Sequence, residues 1–196
     1  MAEAGLDREK TPSLPWRRKA LVLVFGCFLI LDQVTKLIVR QLVVDGSWSM
    51  PFIPGILRFE FVANRGASFG MGQGYGLAFA VLAVAVSVAI VWYIDRAPAL
   101  SKVEIFGLAM VAGGAVGNMF DRLVYGYVTD FLCTEFISFP VFNIADIGIT
   151  CGVAIALIGF LILSPANKVD AAAESSRRDA EAAEERARRA TERDGR

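Results

Sequence analysis

The chain has 196 residues, of which 55% are hydrophobic and 20% are charged, and its formal net charge is zero. Its mean hydropathy of +0.51 is higher than a soluble domain of this size usually shows. The sequence contains no histidine, which excludes Ser-His and Cys-His catalysis and the common zinc sites built on histidine pairs.

The apolar residues gather in four blocks, each close to the roughly 20 residues that a helix needs to cross a bilayer. We predict an α-helical membrane protein with transmembrane helices at about 20–39, 74–94, 103–119 and 142–163. Together they form one domain over 16–165. The polar segment 1–15 is expected to be disordered. The charged, Ala-rich segment 166–196 is expected to be a cytoplasmic tail.

Positive charges are distributed unevenly around the predicted helices. The run 17–19 (RRK) precedes the first helix, and Arg96 and Lys102 flank the short second connection. Because cytoplasmic loops are enriched in Lys and Arg, we expect both termini in the cytoplasm. The run 17–19 followed by Cys27 also resembles a lipoprotein signal peptide. The apolar segment before that cysteine is too short, which favours an uncleaved first helix.

The two connections on the opposite, outer side of the membrane are long. In the first, 57–62 (LRFEFV) alternates apolar and other residues, which predicts a strand with Leu57, Phe59 and Phe61 on one face. The second, 120–141, contains further strand-like aromatic residues. We therefore expect a small β-structure on the outer face of the four helices.

Small residues inside the predicted helices indicate packing. The third helix has glycines four residues apart, Gly113 and Gly117, and the fourth has Gly148 and Gly152, a spacing that lets helices approach closely in lipid. The three cysteines give no disulfide framework. The two within predicted spans, Cys27 and Cys151, are expected to be small buried hydrophobes.

Charged and amide side chains in or near apolar spans are costly, and they are usually paired or functional. In this chain they all fall toward the outer side of the membrane: Asp32, Lys36, Asn118, Asp121, Arg122, Asp130, Asn143 and Asp146. Some have a structural explanation. Asp32 and Lys36, four residues apart, would form an ion pair on one helix face.

Other members of this set have structural explanations too. Asn143 and Asp146 have the spacing of a helix capping box. Asp121 with Arg122 would form an interfacial pair. Asp130 by itself would be an ordinary loop residue.

The set as a whole favours catalysis. Without histidine, acid-base chemistry depends on carboxylates, lysine, tyrosine or a thiol. Two neighbouring carboxylates share a proton, so that one can activate water while the other donates to a substrate carbonyl. This chemistry is peptide hydrolysis by an aspartic dyad.

Five motifs in order identify the chain as similar to the lipoprotein signal peptidases, also called signal peptidase II. They span roughly 31–147 and match this family in number of helices and orientation. The motifs are 32–36 (DQVTK), 64–69 (NRGASF), 113–122 (GGAVGNMFDR), 128–131 (VTDF) and 142–146 (FNIAD).

The resemblance implies an aspartic endopeptidase of the bacterial inner membrane. It would cleave the signal peptide from diacylglyceryl-modified prolipoproteins, on the N-terminal side of the lipidated cysteine. Asp130 and Asp146 would be the catalytic pair. The residues that support them or bind substrate would be Asp32, Lys36, Asn64, Gly66, Asn118, Asp121, Arg122, Asn143 and Ala145. The family also implies a β-cradle lying on the membrane.

We further expect a monomer in contact with membrane lipid, with no metal, organic cofactor or nucleic acid. Asn64 and Asn143 can hydrogen-bond an extended peptide, and Arg122 can hold a carboxylate or a carbonyl. Gly66 would allow close backbone approach or simply a turn. Aromatic residues would anchor the cradle at the headgroups, and we expect Phe69 or its neighbours to contact lipid.

Three other functions fit parts of the pattern. A small transporter or proton channel would use Asp32, Lys36, Asp121 and Arg122 as a relay. A non-enzymatic membrane scaffold would need only the packing residues. A Ser-Lys peptidase would use Ser68 with Lys36.

Overall fold

The computed structural model describes residues 11–66, 72–164, 175–180 and 183. The expectations for residues 1–10, for Ser68 and Phe69, and for most of the tail lie outside the described residues.

Four long helices dominate the fold: α1 Leu14–Leu42, α2 Gly76–Arg96, α3 Lys102–Tyr125 and α4 Ile144–Ile158. A π-helical segment, Gly159–Leu163, continues α4 without a break. By length and composition, four helices in the described chain can cross a membrane, the last of them counted through Leu163. The predicted helical membrane class is confirmed.

Two helix boundaries lie furthest from those expected from the sequence, the start of α1 and the end of α3. Helix α1 begins at Leu14 and takes in Pro15, which we had placed in the disordered segment. Proline suits a first helical turn, because its missing N–H would have no partner there anyway. Helix α3 continues to Tyr125, where Gly126 adopts a left-handed conformation and ends it. Asn118, Asp121 and Arg122 therefore lie on α3 itself.

A three-stranded antiparallel sheet covers one end of the helices, here called the sheet end. Its strands, in the order β1-β2-β3, are Ser49–Ile53, Leu57–Asn64 and Val128–Thr134. The predicted alternation is confirmed, because Leu57, Phe59 and Phe61 all pack against a buried cluster of Val39, Phe131 and Leu132. This cluster joins the sheet to α1.

Helix α3 is the most buried helix and packs against the other three. Its close contacts use glycine as predicted. Gly113 lies against the backbone of Phe25 on α1, and Gly152 of α4 lies against the carbonyl of Gly107. Helices α2 and α4 contact α3 but hardly contact each other, which leaves a space between them.

The cysteines are placed differently from the prediction. The side chains of Cys27 and Cys151 are exposed on the protein surface, whereas Cys133 on β3 is buried. The expectation that Cys27 and Cys151 are buried is therefore wrong. In a membrane-spanning helix, apolar side chains can face lipid, so an apolar position need not lie in the protein core.

The end of the bundle opposite the sheet is held by a buried cation. Arg17 is 7% exposed and donates hydrogen bonds to the carbonyls of Pro12, Ile94 and Ala97 at 2.7 to 3.1 Å. It thereby satisfies backbone acceptors at the C-terminus of α2 and fixes the start of α1 there.

We predict that Gly107→Ala destabilises the protein by about 1–3 kcal/mol, because the close contact leaves no room for a methyl group. A Cβ at Gly107 would stand 2.5 Å from the carbonyl oxygen of Gly152. The matched control is Gly26→Ala, since nothing lies within 4 Å of a Cβ there. Thermal unfolding in detergent should show a lower Tm only for the Gly107 variant. Equal Tm values would contradict the packing role.

Candidate active site

The N-terminus of α4 is capped by a reciprocal pair of hydrogen bonds, as the sequence spacing predicted. The Asn143 side chain accepts from the N–H of Asp146 at 3.0 Å, and the Asp146 carboxylate accepts from the N–H of Asn143 at 3.1 Å. Asn118 on α3 also donates to Asp146, at 2.8 Å. This carboxylate is therefore held in place from two helices.

Asp130 lies on β3 and is 2% exposed. Its two oxygens accept from different asparagines, Oδ1 from Asn143 at 2.6 Å and Oδ2 from Asn64 at 2.9 Å. Asn143 thus hydrogen-bonds to both Asp130 and Asp146. The two aspartates predicted to act together are brought to one place by this shared residue.

Burial raises the pKa of the Asp130 carboxyl to about 7, and the negative charge of Asp146 adds to the increase. The hydrogen bonds from Asn64 and Asn143 and the charge of Lys36 act in the opposite direction. Near neutral pH, Asp130 therefore holds a proton for much of the time.

A buried ion cluster lies next to this pair. Lys36 on α1 lies between two carboxylates, 2.9 Å from Asp32 and 3.3 Å from Asp121. All three side chains are 0% exposed. Asp32 also accepts a hydrogen bond from the N–H of Ala145 at 3.0 Å. Helix α1 is thereby connected to both α3 and the start of α4.

The interfacial pair considered for Asp121 and Arg122 is wrong. Asp121 pairs with Lys36 and, at 3.4 Å, with Arg40, whereas Arg122 donates to the carbonyl of Gly66 at 2.9 Å. Adjacent residues on a helix point about 100° apart and do not face each other. Arg122 therefore holds a carbonyl, the second of its two expected partners.

Asn64 and Gly66 form a local turn beside the pair. The Asn64 side chain accepts from the N–H of Gly66 at 2.9 Å while its amide nitrogen donates to Asp130. Together with the bond from Arg122, this turn joins the end of β2 to α3. Gly66 serves the turn through its backbone, one of the two roles expected for it.

The ion cluster includes three residues that we did not select from the sequence. The N–H of Thr129 donates to Asp121 at 2.9 Å, and its hydroxyl accepts from Arg40 at the same distance. Gln33 donates to Asp32 at 3.0 Å. Arg40 lies four residues after Lys36, and this helical spacing could have identified it.

A cavity of about 770 Å³ begins at the aspartates and extends between α2 and α4; we call it the groove. Asp130, Asp146, Asn118 and Arg122 line its polar end. Apolar side chains line the rest, among them Phe79, Leu82, Ala83, Val86, Val111 and Ala115. A groove that is mostly apolar with a few convergent polar groups is typical of ligand sites.

Within the described ranges, no group of three or more His, Cys, Asp or Glu side chains is placed to hold a metal ion. The chemistry available to the described residues is that of paired carboxylates and amides, located where membrane-capable helices end. These features define a membrane-embedded protease of the aspartic type.

Comparison with known proteins then gives the family. Residues 24–162 match the model of Signal peptidase (SPase) II. The chain belongs to this family, as the five motifs predicted, and the interpretations as a transporter, a scaffold or a Ser-Lys peptidase are thereby excluded. Lys36, buried and already paired, is also not free to activate a serine.

Curated relatives cover most of the described domain. The lipoprotein signal peptidase of Microcystis aeruginosa is 39% identical over 70% of this chain and 88% of its own length. That of Gloeobacter violaceus is 40% identical over 75% and 82%. A bacterial membrane enzyme solved by the in meso method has a TM-score of 0.67 at 31% identity, over 72% of this chain and 87% of its own.

The raised pKa of Asp130 predicts a pH-dependent stability. A carboxyl whose pKa rises on folding contributes stability that is present below its ordinary value, 3.8, and is lost as the pH rises to about 7. Between pH 3.8 and about pH 7, we expect the Tm of the wild type to fall relative to that of Asp130→Asn. Above about pH 7, the difference between the two Tm values should stay constant. Thermal unfolding in detergent at several pH values measures this; a Tm difference that is constant with pH would contradict the prediction.

Proposed function

We propose that this chain is the endopeptidase that cleaves signal peptides from diacylglyceryl-modified prolipoproteins, on the N-terminal side of the lipidated cysteine. The observation that carries the proposal is the groove. Its polar end holds Asp130, which is buried, and Asp146, which is half-buried, and its apolar part runs along helices able to cross a membrane. A lipidated substrate does not leave the bilayer readily, so its protease must reach the peptide from the membrane.

Asp146 acts as the base in this proposal. Its carboxylate accepts one proton from a water molecule, whose oxygen attacks the carbonyl carbon of the scissile peptide. Asp130 carries the shared proton and donates it to the carbonyl oxygen, which stabilises the tetrahedral intermediate. The proton on Asp146 then passes to the leaving nitrogen as the C–N bond breaks, and Asp130 recovers its proton from the collapsing hydroxyl.

The neighbouring amides support this division of roles. Asn118 and the backbone of Asn143 donate to Asp146, which orients this carboxylate toward the groove as a base requires. For Asp130, burial raises the pKa more than the hydrogen bonds from Asn64 and Asn143 lower it. This supports the protonated form of Asp130. Asn64 and Arg122 line the side of the groove that an extended substrate would contact, and the turn at Gly66 supports them.

We infer that the sheet end faces away from the cytoplasm and that both termini are cytoplasmic. The opposite end carries Arg17, Arg18, Lys19, Arg96 and Lys102, and short cytoplasmic loops are enriched in such residues. The protein would then lie in the bacterial inner membrane as a monomer, with the aspartates at the outer leaflet.

Membrane lipid would contact the sheet in this orientation. Phe52 on β1 is 56% exposed and packs against Phe59, with ring centroids 4.9 Å apart. Aromatic side chains of this kind sit favourably at the headgroup level. The three strands would thus form the cradle that the family resemblance implies.

We predict that Asp130→Asn and Asp146→Asn each lower the rate of cleavage by at least about 10³-fold, because each removes one half of the dyad. An asparagine in place of Asp146 retains an oxygen for the helix cap. Measurement is by gel shift of a diacylglyceryl prolipoprotein in detergent.

The control is Asp95→Asn, at the far end of α2, where Asp95 pairs with Arg18. It should cleave at the wild-type rate. Full activity in either dyad variant, with its fold verified by thermal unfolding, would contradict the proposed function.

A second pair of variants tests the groove. Ala83 lines the groove, whereas Ala85, two residues along α2, is exposed and does not line it. Ala83→Leu should reduce kcat/KM for the lipidated precursor by roughly tenfold, since added methylenes occupy the space for substrate. Ala85→Leu should leave it unchanged. Equal kcat/KM values would show that substrate does not occupy this part of the groove.

A further inference from the structure

The ammonium group of Lys36 has an acceptor for each of its three N–H donors. Two are the carboxylates of Asp32 and Asp121, and the third is the side-chain oxygen of Asn118, at 2.8 Å. The third bond is the only one of these that leads toward the proposed dyad. Asn118 donates from its amide nitrogen to Asp146.

Lys36 and Asn143 together determine which way the Asn118 amide points. The oxygen of Asn118 accepts from two groups that can only donate at that position, the Lys36 ammonium and the Asn143 amide at 3.1 Å. A flipped amide would place its NH2 group against these donors and its oxygen against the Asp146 carboxylate. With Lys36 charged, the donor of Asn118 must face Asp146.

The two aspartates of the ion cluster do not depend on Lys36 alone. Asp32 also accepts from the N–H of Ala145 and from Gln33. Asp121 also accepts from the N–H of Thr129 and pairs with Arg40. Among the described residues that hydrogen-bond to the Asn118 side chain, by contrast, Lys36 is the only cation. An ion pair that merely joined α1 to α3 would not require this third bond.

We infer that Lys36 is a positioning residue for hydrolysis. Through Asn118 it keeps the Asp146 carboxylate correctly aimed, and its positive charge sets the pH range in which the dyad works. This inference rests on the proposed function. Lys36 does not line the groove. A purely structural ion pair at this position would have no effect on the pH dependence of the reaction.

A pH profile of cleavage will reflect every charged group near Lys36, Asn118 and the proposed dyad. Helix α1 contributes Asp32, Lys36 and Arg40. Helix α3 contributes Asp121 and Arg122. The dyad adds Asp130 from β3 and Asp146 from α4. The acidic and basic residues of α2, Asp95 and Arg96, lie at its far end.

The test compares Asp32→Asn with the double variant D32N/K36M, which differ only at position 36. An asparagine in place of Asp32 keeps an oxygen for the N–H of Ala145, and a methionine in place of Lys36 retains most of the lysine volume. Removing both charges leaves Asp121 with Arg40 and avoids an isolated buried carboxylate. D32N/K36Q is the second variant, because glutamine restores a neutral donor to Asn118.

The readout is kcat and KM for the lipidated precursor from about pH 4 to pH 9. Relative to Asp32→Asn, D32N/K36M should lose roughly tenfold in kcat at pH 7, with KM changed less than about threefold. Its bell-shaped profile should move to higher pH by about one unit, because loss of a nearby cation favours protonated carboxylates. D32N/K36Q should regain part of kcat but keep the shifted profile.

The same kcat and the same profile in Asp32→Asn and folded D32N/K36M would overturn the inference and leave Lys36 with an ion-pair role only. If D32N/K36M does not fold, the profile of D32N/K36Q decides the same question. Asp130→Asn and Asp146→Asn are assayed in parallel. Cleavage by either of them would instead refute the proposed function, so the two failures are distinguishable.

Discussion

The rest of the structure depends on a lysine ammonium buried among the helices. Lys36 has no exposed surface, and it brings Asp32 and Asp121 within hydrogen-bond distance. Removing one partner of such a buried pair typically costs about 3–5 kcal/mol, because an uncompensated charge remains. The partners of this charge come from α1 and α3, and Asp32 in turn accepts from the start of α4. The charge thus specifies how these helices meet at the sheet end.

Two asparagine side chains connect this ion cluster to Asp130 and Asp146 through hydrogen bonds. Asn118 and Asn143 each accept with the oxygen and donate with the nitrogen, so both ends of each side chain are used. An amide can bridge a cation and a carboxylate without adding a charge of its own. The two neighbouring carboxylates therefore have different surroundings: Asp130 is buried between two amides, whereas Asp146 is half-buried at the start of α4.

Much of this arrangement could be predicted from the sequence, because it follows from local spacing. The helices, the alternating strand with Phe59 and the capping box of Asn143 and Asp146 all depend on residues a few positions apart. Contacts between distant segments could not be derived this way. Such contacts depend on how the helices are rotated relative to one another. Examples are the partners of Asp121, the carbonyls bound by Arg17 and the exposure of Cys151. The position and lining of the groove could not be predicted either, since it is a space between α2 and α4 rather than a pattern in either.

The hydrogen bond from the N–H of Ala145 to Asp32 joins positions 113 residues apart. It connects the first of the four membrane-capable helices with the fourth. Until α4 has packed against α1 and α3, Asp130 lacks its bond from Asn143, and Asp146 does not lie beside it. A partly inserted chain therefore carries only half of the proposed acid-base pair. In the proposed mechanism, cleavage has to wait until all four helices are in the membrane.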